Sequence, residues 1–116
     1  MLTIYGIPNC DTMKKATTWL KAHNQPFEFH DYKTQGIKAD RLKSWFGQVE
    51  MDKIFNKRST TWKELPPEIQ ASVTSKETAI PVLQEYTSII KRPVLEKDGK
   101  VFCVGFDEKE YGKLIG

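Results

Sequence analysis

The sequence predicts an α/β fold, a four-stranded mixed sheet with flanking helices and an inserted all-helical part. Three observations carry this expectation. Residues 2–30 read as strand, helix and strand; residues 34–88 look all-helical; residues 94–104 form two apolar runs around an Asp-Gly pair. A chain of 116 residues, 39% hydrophobic and 28% charged, is long enough to bury one core. The expected organisation is a single domain over 1–116, in which 1–33 and 89–116 build the sheet and 34–88 form the helical insertion.

Leu2 to Tyr5 is a short apolar strand that gives way, through Gly6, Ile7, Pro8 and Asn9, to a helix from Asp11 to about His23. Met13, Ala16 and Leu20 form the buried stripe of that helix. Phe27 to His30 alternates apolar and polar after Pro26, and a strand, helix and strand of this length favour a parallel βαβ unit. Thr34-Gln35-Gly36 is then a junction. Ile37 to Phe46 turns helical, with Asp40 near its start and Gly47 marking an end. Lys53 to Phe55 and Trp62 to Leu65 are short apolar-bearing pieces, and Pro66-Pro67 opens a helical turn. Ser75 to Thr78 begins a helix running toward Ile90, in which Pro81 is tolerable close to the start or at a kink. Val94 to Glu96 and Val101 to Val104 flank Asp98-Gly99, a pair suited to a type I′ turn. Asp107 is placed to cap a final short helix.

Composition narrows the function. A net charge of +3, with basic residues interspersed among fifteen acids, argues against direct nucleic-acid binding. No apolar run approaches the roughly 20 residues of a membrane span, and Met1 leads straight into a strand rather than a signal segment. The expectation is a cytoplasmic protein whose Cys10 and Cys103 are thiols at rest. His23 and His30 lack metal-ligand spacing to the cysteines, so no metal is expected.

Cys10 is the residue that suggests chemistry. It stands where a strand yields to the first turn of a helix, where unpaired N–H groups and the positive end of the macrodipole stabilise a thiolate. Cys103, inside Val101-Phe102-Cys103-Val104, reads instead as a small apolar core residue. Asp11 would oppose a thiolate if it faced inward, and is expected to face solvent. Trp19, Trp45 and Trp62 read as packing residues, and Lys15 as part of a solvated helix face.

The segment Gly6-Ile7-Pro8-Asn9-Cys10-Asp11-Thr12-Met13-Lys14-Lys15-Ala16, with Asn56-Lys57-Arg58-Ser59 and Arg92-Pro93-Val94-Leu95, resembles the arsenate reductase (ArsC)/Spx family and its YffB-like branch across the whole chain. The resemblance implies a thioredoxin-like fold with an inserted helical subdomain, and a cis peptide bond before Pro93, facing Cys10. It also implies a glutathione-coupled reductase in the arsenate-reducing members and redox-sensitive binding to RNA polymerase in the Spx members.

Departures from the pattern shape what carries over. Of the three arginines that hold the oxyanion in arsenate-reducing members, only Arg92 is matched; Asn56 and Val104 stand at the other two positions, and Arg58 lies two residues beyond Asn56. Each missing charge-assisted contact costs roughly 1.5–3 kcal/mol, so efficient arsenate reduction is not expected. Met13 stands where an Spx CxxC switch has its second cysteine, which removes a local disulfide. The expected function is therefore a monothiol, glutathione-dependent thiol reductase. Its catalytic residues are Cys10 and Arg92, and Asn9, Thr12, Lys14, Arg58 and Pro93 bind substrate or glutathione. Glutathione acts as co-substrate and no cofactor is bound. The partners are a small oxidised or disulfide substrate and glutaredoxin, with RNA polymerase only in the Spx-like alternative.

Overall fold

The computed structural model describes residues 1–115. Two compact units emerge, one made of Met1–Gln35 with Arg92–Gly116 and the other of Gly36–Lys91.

The first unit is a four-stranded sheet in the order β2-β1-β3-β4, with strands β1 (Leu2–Gly6), β2 (Phe27–Asp31), β3 (Val94–Lys97) and β4 (Lys100–Val104). β1 runs parallel to β2, in the register Ile4 to Phe29, and antiparallel to β3, which pairs Tyr5 with Val94. Asp98 and Gly99 join β3 to β4 with φ of 53° and 82°, the two left-handed residues that a type I′ turn requires. Helix α1 (Asp11–Ala22) buries Met13, Ala16 and Leu20 against Leu2, Ile4 and Leu95. Asp11 lies in its first turn and Lys21 in its last, as the helix dipole favours. α2 (Tyr32–Gln35) is a single turn that extends past β2 into what the sequence pattern reads as a junction. The Asp31 carboxylate, accepting from Lys33 N–H at 2.8 Å, starts it locally, a signal that apolar periodicity does not register.

α8 (Glu108–Gly112) begins where expected, capped by Asp107, whose carboxylate accepts from the N–H groups of Lys109 and Glu110. It brings Tyr111 fully into the same core, where the ring meets Trp19 and Phe106 edge-on, at centroid distances of 5.5 and 4.9 Å.

The second unit holds α3 (Ala39–Gln48), α4 (Met51–Ile54), α5 (Thr60–Glu64), α6 (Pro67–Ser72), α7 (Lys76–Glu85) and a 3₁₀ turn (Thr87–Ile89). Leu42, Trp45 and Phe46 of α3 are buried, as are Ala79, Ile80, Val82 and Leu83 of α7. Ser75 and Thr78 form a reciprocal capping box at the start of α7. The Lys76 ammonium donates to the Phe46 carbonyl at 2.6 Å, satisfying an orphan acceptor at the end of α3.

Three boundaries differ from the sequence expectation. α3 passes through Gly47 to Gln48, and Val49 N–H closes the last turn on the Trp45 carbonyl at 3.0 Å. Pro81 lies inside α7, beyond its first turn, among the buried Ala79, Ile80, Val82 and Leu83. α7 also stops at Glu85 instead of running toward Ile90. Tyr86 leaves helical space at φ −120° and ψ 71°, and the chain turns so that Ile90 forms a bridge with Phe55 while Asn56 N–H donates to the Ile89 carbonyl at 2.9 Å. That stop is made by a long-range pairing.

Candidate active site

β1 ends at Gly6, and the approach to α1 explains the glycine: a Cβ there would overlap the Met13 sulfur. Asn9 then takes φ of 61°, a left-handed conformation that asparagine adopts at little steric cost. This turn delivers Cys10 in extended conformation as the N-cap of α1, and its carbonyl accepts from Lys14 N–H at 3.0 Å.

An N-cap side chain faces the N–H groups two and three residues on. For Cys10 these belong to Thr12 and Met13. The sulfur closes no short cap bond of the kind a serine hydroxyl makes, yet both N–H groups bear on it and favour its charged form. Arg92 reaches the same sulfur with a guanidinium hydrogen bond. It precedes Pro93 through a cis peptide bond, and the Pro93 carbonyl accepts from Gly105 N–H at 2.8 Å. Pro93 is fully buried, and Val94 beyond it pairs with both Tyr5 and Val104, so the start of β3 is fixed on each side.

Opposing influences act on the thiol. Partial burial pushes its pKa up; the N–H groups of Met13 and Thr12, then the hydrogen bond and positive charge of Arg92, outweigh that and hold it below the ordinary cysteine value. The structure therefore brings Cys10, Thr12 and Arg92 together, with Pro93 next to Arg92 in the chain. Thr12 contributes through its main chain. Met13, which the sequence reading passed over as a donor, contributes likewise; the N-cap rule applied to Cys10 is the signal that finds it. Lys14 and Asp11 are exposed in the first turn of α1. Arg58 belongs to the second unit, where its N–H donates to the Asn56 side-chain carbonyl at 3.0 Å and it lines a cavity of about 550 Å³ with Lys57 and Lys91.

Cys103 lies half-buried on β4 beside the Val104 and Gly105 carbonyls. Burial, followed by the negative charges of Glu110 and Asp107, pushes its pKa to about 11. At pH 7 such a thiol is thiolate in about one part in ten thousand, far less than a thiol held below the ordinary cysteine value. Iodoacetamide at neutral pH is thus expected to modify Cys10 at least about a hundredfold faster than Cys103, read by peptide mass mapping. Comparable rates would contradict the two environments.

The ArsC family model matches residues 5–114. An uncharacterised protein of Haemophilus influenzae is 46% identical over 111 residues, covering 96% of each chain. The solved structure of the YffB (PA3664) protein superposes with a TM-score of 0.93 at 37% identity, covering all of both chains. The global transcriptional regulator Spx of Streptococcus pneumoniae is 28% identical over 112 residues, which is 95% of this chain and 82% of Spx.

Proposed function

The chain belongs to the ArsC family, and from that membership we propose that it is a glutathione-dependent thiol reductase with Cys10 as its single nucleophile. The observation that carries the proposal is the set of donors on one sulfur: the main-chain N–H groups of Thr12 and Met13 and the guanidinium of Arg92. Each stabilises the thiolate, which is the attacking species in thiol–disulfide exchange.

The Cys10 thiolate attacks one sulfur of a disulfide substrate. The S–S bond breaks, the other sulfur leaves as a thiolate and takes a proton from solvent, and Cys10 is left in a mixed disulfide. A glutathione thiolate attacks the Cys10 sulfur of that mixed disulfide, displacing the second substrate sulfur as a thiolate, and a second glutathione thiolate attacks glutathionylated Cys10, releasing the Cys10 thiolate and glutathione disulfide. For a symmetrical disulfide two glutathiones are oxidised to one glutathione disulfide, and the two electrons reduce the substrate. Glutathione must resolve the intermediate because Met13 stands where a neighbouring thiol would be. Arg92 keeps the departing Cys10 sulfur anionic, Pro93 and Asn9 shape the backbone around it, and Lys14 supplies positive charge for a carboxylate of glutathione. Glutaredoxin is a further redox partner, and the reaction takes place in the cytoplasm.

The test is the pH dependence of Cys10 alkylation in a Cys103→Ser background. We expect a midpoint below about 8.5, raised in Arg92→Ala. A midpoint at or above that reference in the parent protein would sink the reductase reading.

The likeness to Spx over most of the chain favours a second reading, a protein-binding regulator that contacts RNA polymerase without a CxxC switch. It predicts that Cys10→Ser still captures the polymerase. Arsenate reduction with an incomplete arginine set is the third reading, to be separated by assay with arsenate and glutathione.

A further inference from the structure

A cavity of about 290 Å³ opens beside the loop that carries Cys10. Ile7 and Pro8 of the loop form one wall and Phe27 and Phe29 of β2 another, over the buried side chain of Met13. Phe29, at 39% exposure, is one of the large apolar side chains that the protein leaves in water. The exposed Lys14 and Lys21 of α1 stand at the rim, and no acidic residue lines the cavity.

These features specify an occupant. The volume lies just under the roughly 300–1,000 Å³ typical of pockets for whole small ligands, and so suits one apolar side chain. Asn9, also in the lining, is adjacent to Cys10 in the chain. An extended polypeptide advances about 3.3–3.6 Å per residue, so a side chain one or two residues from a reacting cysteine is within reach of the cavity. Two ammonium groups with no carboxylate between them attract an acidic neighbour of that side chain.

We propose that this cavity is a specificity pocket for polypeptide substrates, taking an apolar side chain that flanks a glutathionylated cysteine while Lys14 and Lys21 pair with an adjacent acidic residue. The proposal rests on the reductase reading above and names its substrate class. The Cys10 thiolate attacks the glutathionyl sulfur of the peptide mixed disulfide. The S–S bond breaks, and the peptide cysteine leaves as a thiolate that is protonated by solvent. A second glutathione, as thiolate, then attacks glutathionylated Cys10, restoring the Cys10 thiolate and releasing glutathione disulfide. The peptide cysteine is reduced at the expense of that second glutathione.

The experiment compares two glutathionylated peptides, one carrying Phe-Cys-Glu and the other Ala-Cys-Lys, with the mixed disulfide of glutathione and 2-mercaptoethanol as a reference substrate. The full chain is expected to favour the Phe-Cys-Glu peptide by about tenfold or more in kcat/KM, the equivalent of burying one or two methylene groups plus a charge pair. Phe29→Ser and Lys21→Gln, both on exposed residues, should each lower the ratio of peptide to reference turnover several-fold. The same peptides, unmodified and with Cys replaced by Ser, are titrated into Cys10→Ser by fluorescence anisotropy to read the preference without chemistry. Turnover with no preference between the peptides overturns the pocket and leaves the reductase reading standing. Preferential binding by Cys10→Ser, lost in Phe29→Ser, with no turnover by the parent protein sustains the pocket and overturns the reductase reading.

Discussion

Replacing Cys10 with serine is expected to lower turnover of a glutathione mixed disulfide by about a thousandfold or more, the scale on which removal of a nucleophile acts in covalent catalysis. Serine keeps the shape and the cap but has no accessible anion, so the N–H groups of Thr12 and Met13 and the guanidinium of Arg92 have no nucleophile to stabilise. Cys103→Ser should leave turnover within about twofold, since buried structural thiols are inert.

Cys10→Ser should not cost stability near or below neutral pH. Serine is a better N-cap than a neutral thiol, and cap exchanges are worth about 0.5–2 kcal/mol. The thiolate changes that comparison with pH. Cys10 has a folded-state pKa below its unfolded value, so the stability it contributes is fully present above the unfolded value, about 8.5, and is lost as pH falls through the folded one. Urea unfolding across that window should show the parent protein gaining stability on Cys10→Ser as pH rises. A parent protein no more stable relative to Cys10→Ser at the alkaline end would show that the donors do not act on the sulfur in solution.

Tyr111 should respond in opposite directions to two substitutions. Its ring is fully buried between Trp19 and Phe106, against the core that supports α1. Tyr111→Ala removes that ring and is expected to cost about 3–5 kcal/mol, as truncation of a buried aromatic does. The hydroxyl is a different matter. It is buried with no hydrogen-bond partner among the described residues, and burial, with a smaller contribution from Cys103, pushes its pKa far above the ordinary tyrosine value. A desolvated, unpaired hydroxyl costs about 1–3 kcal/mol, so Tyr111→Phe is expected to be neutral or to stabilise by about 1 kcal/mol. Urea midpoints at constant m-value provide the measurement. A loss from Tyr111→Phe approaching that from Tyr111→Ala would mean that the hydroxyl is bonded after all.

Several elements were legible because their signals are local. The stripe of Met13, Ala16 and Leu20, the Asp-Gly hairpin and the Asp107 cap each rest on residues a few positions apart, and each stands where the pattern places it. The end of α7 was not legible. Its sequence can continue as helix, and only the pairing of Ile90 with Phe55 turns the chain away. The cavity beside the active loop was invisible for a related reason: its walls come from residues 7–8, 13–21 and 27–29, which no single periodicity joins.

Cys10 shows the same division within one site. Local sequence determined that a cysteine follows a strand and caps a helix, and with it that Thr12 and Met13 present N–H groups to the sulfur, because helix geometry alone dictates which donors an N-cap meets. The tertiary structure alone decided that Arg92, more than eighty residues away, hydrogen-bonds that sulfur, and that Cys103, equally a thiol, is held protonated. The physical reason is that a charge or a low dielectric acts through distance in space. Pairing β3 against β1 sets that distance, bringing the start of β3 to the end of β1 beside Cys10.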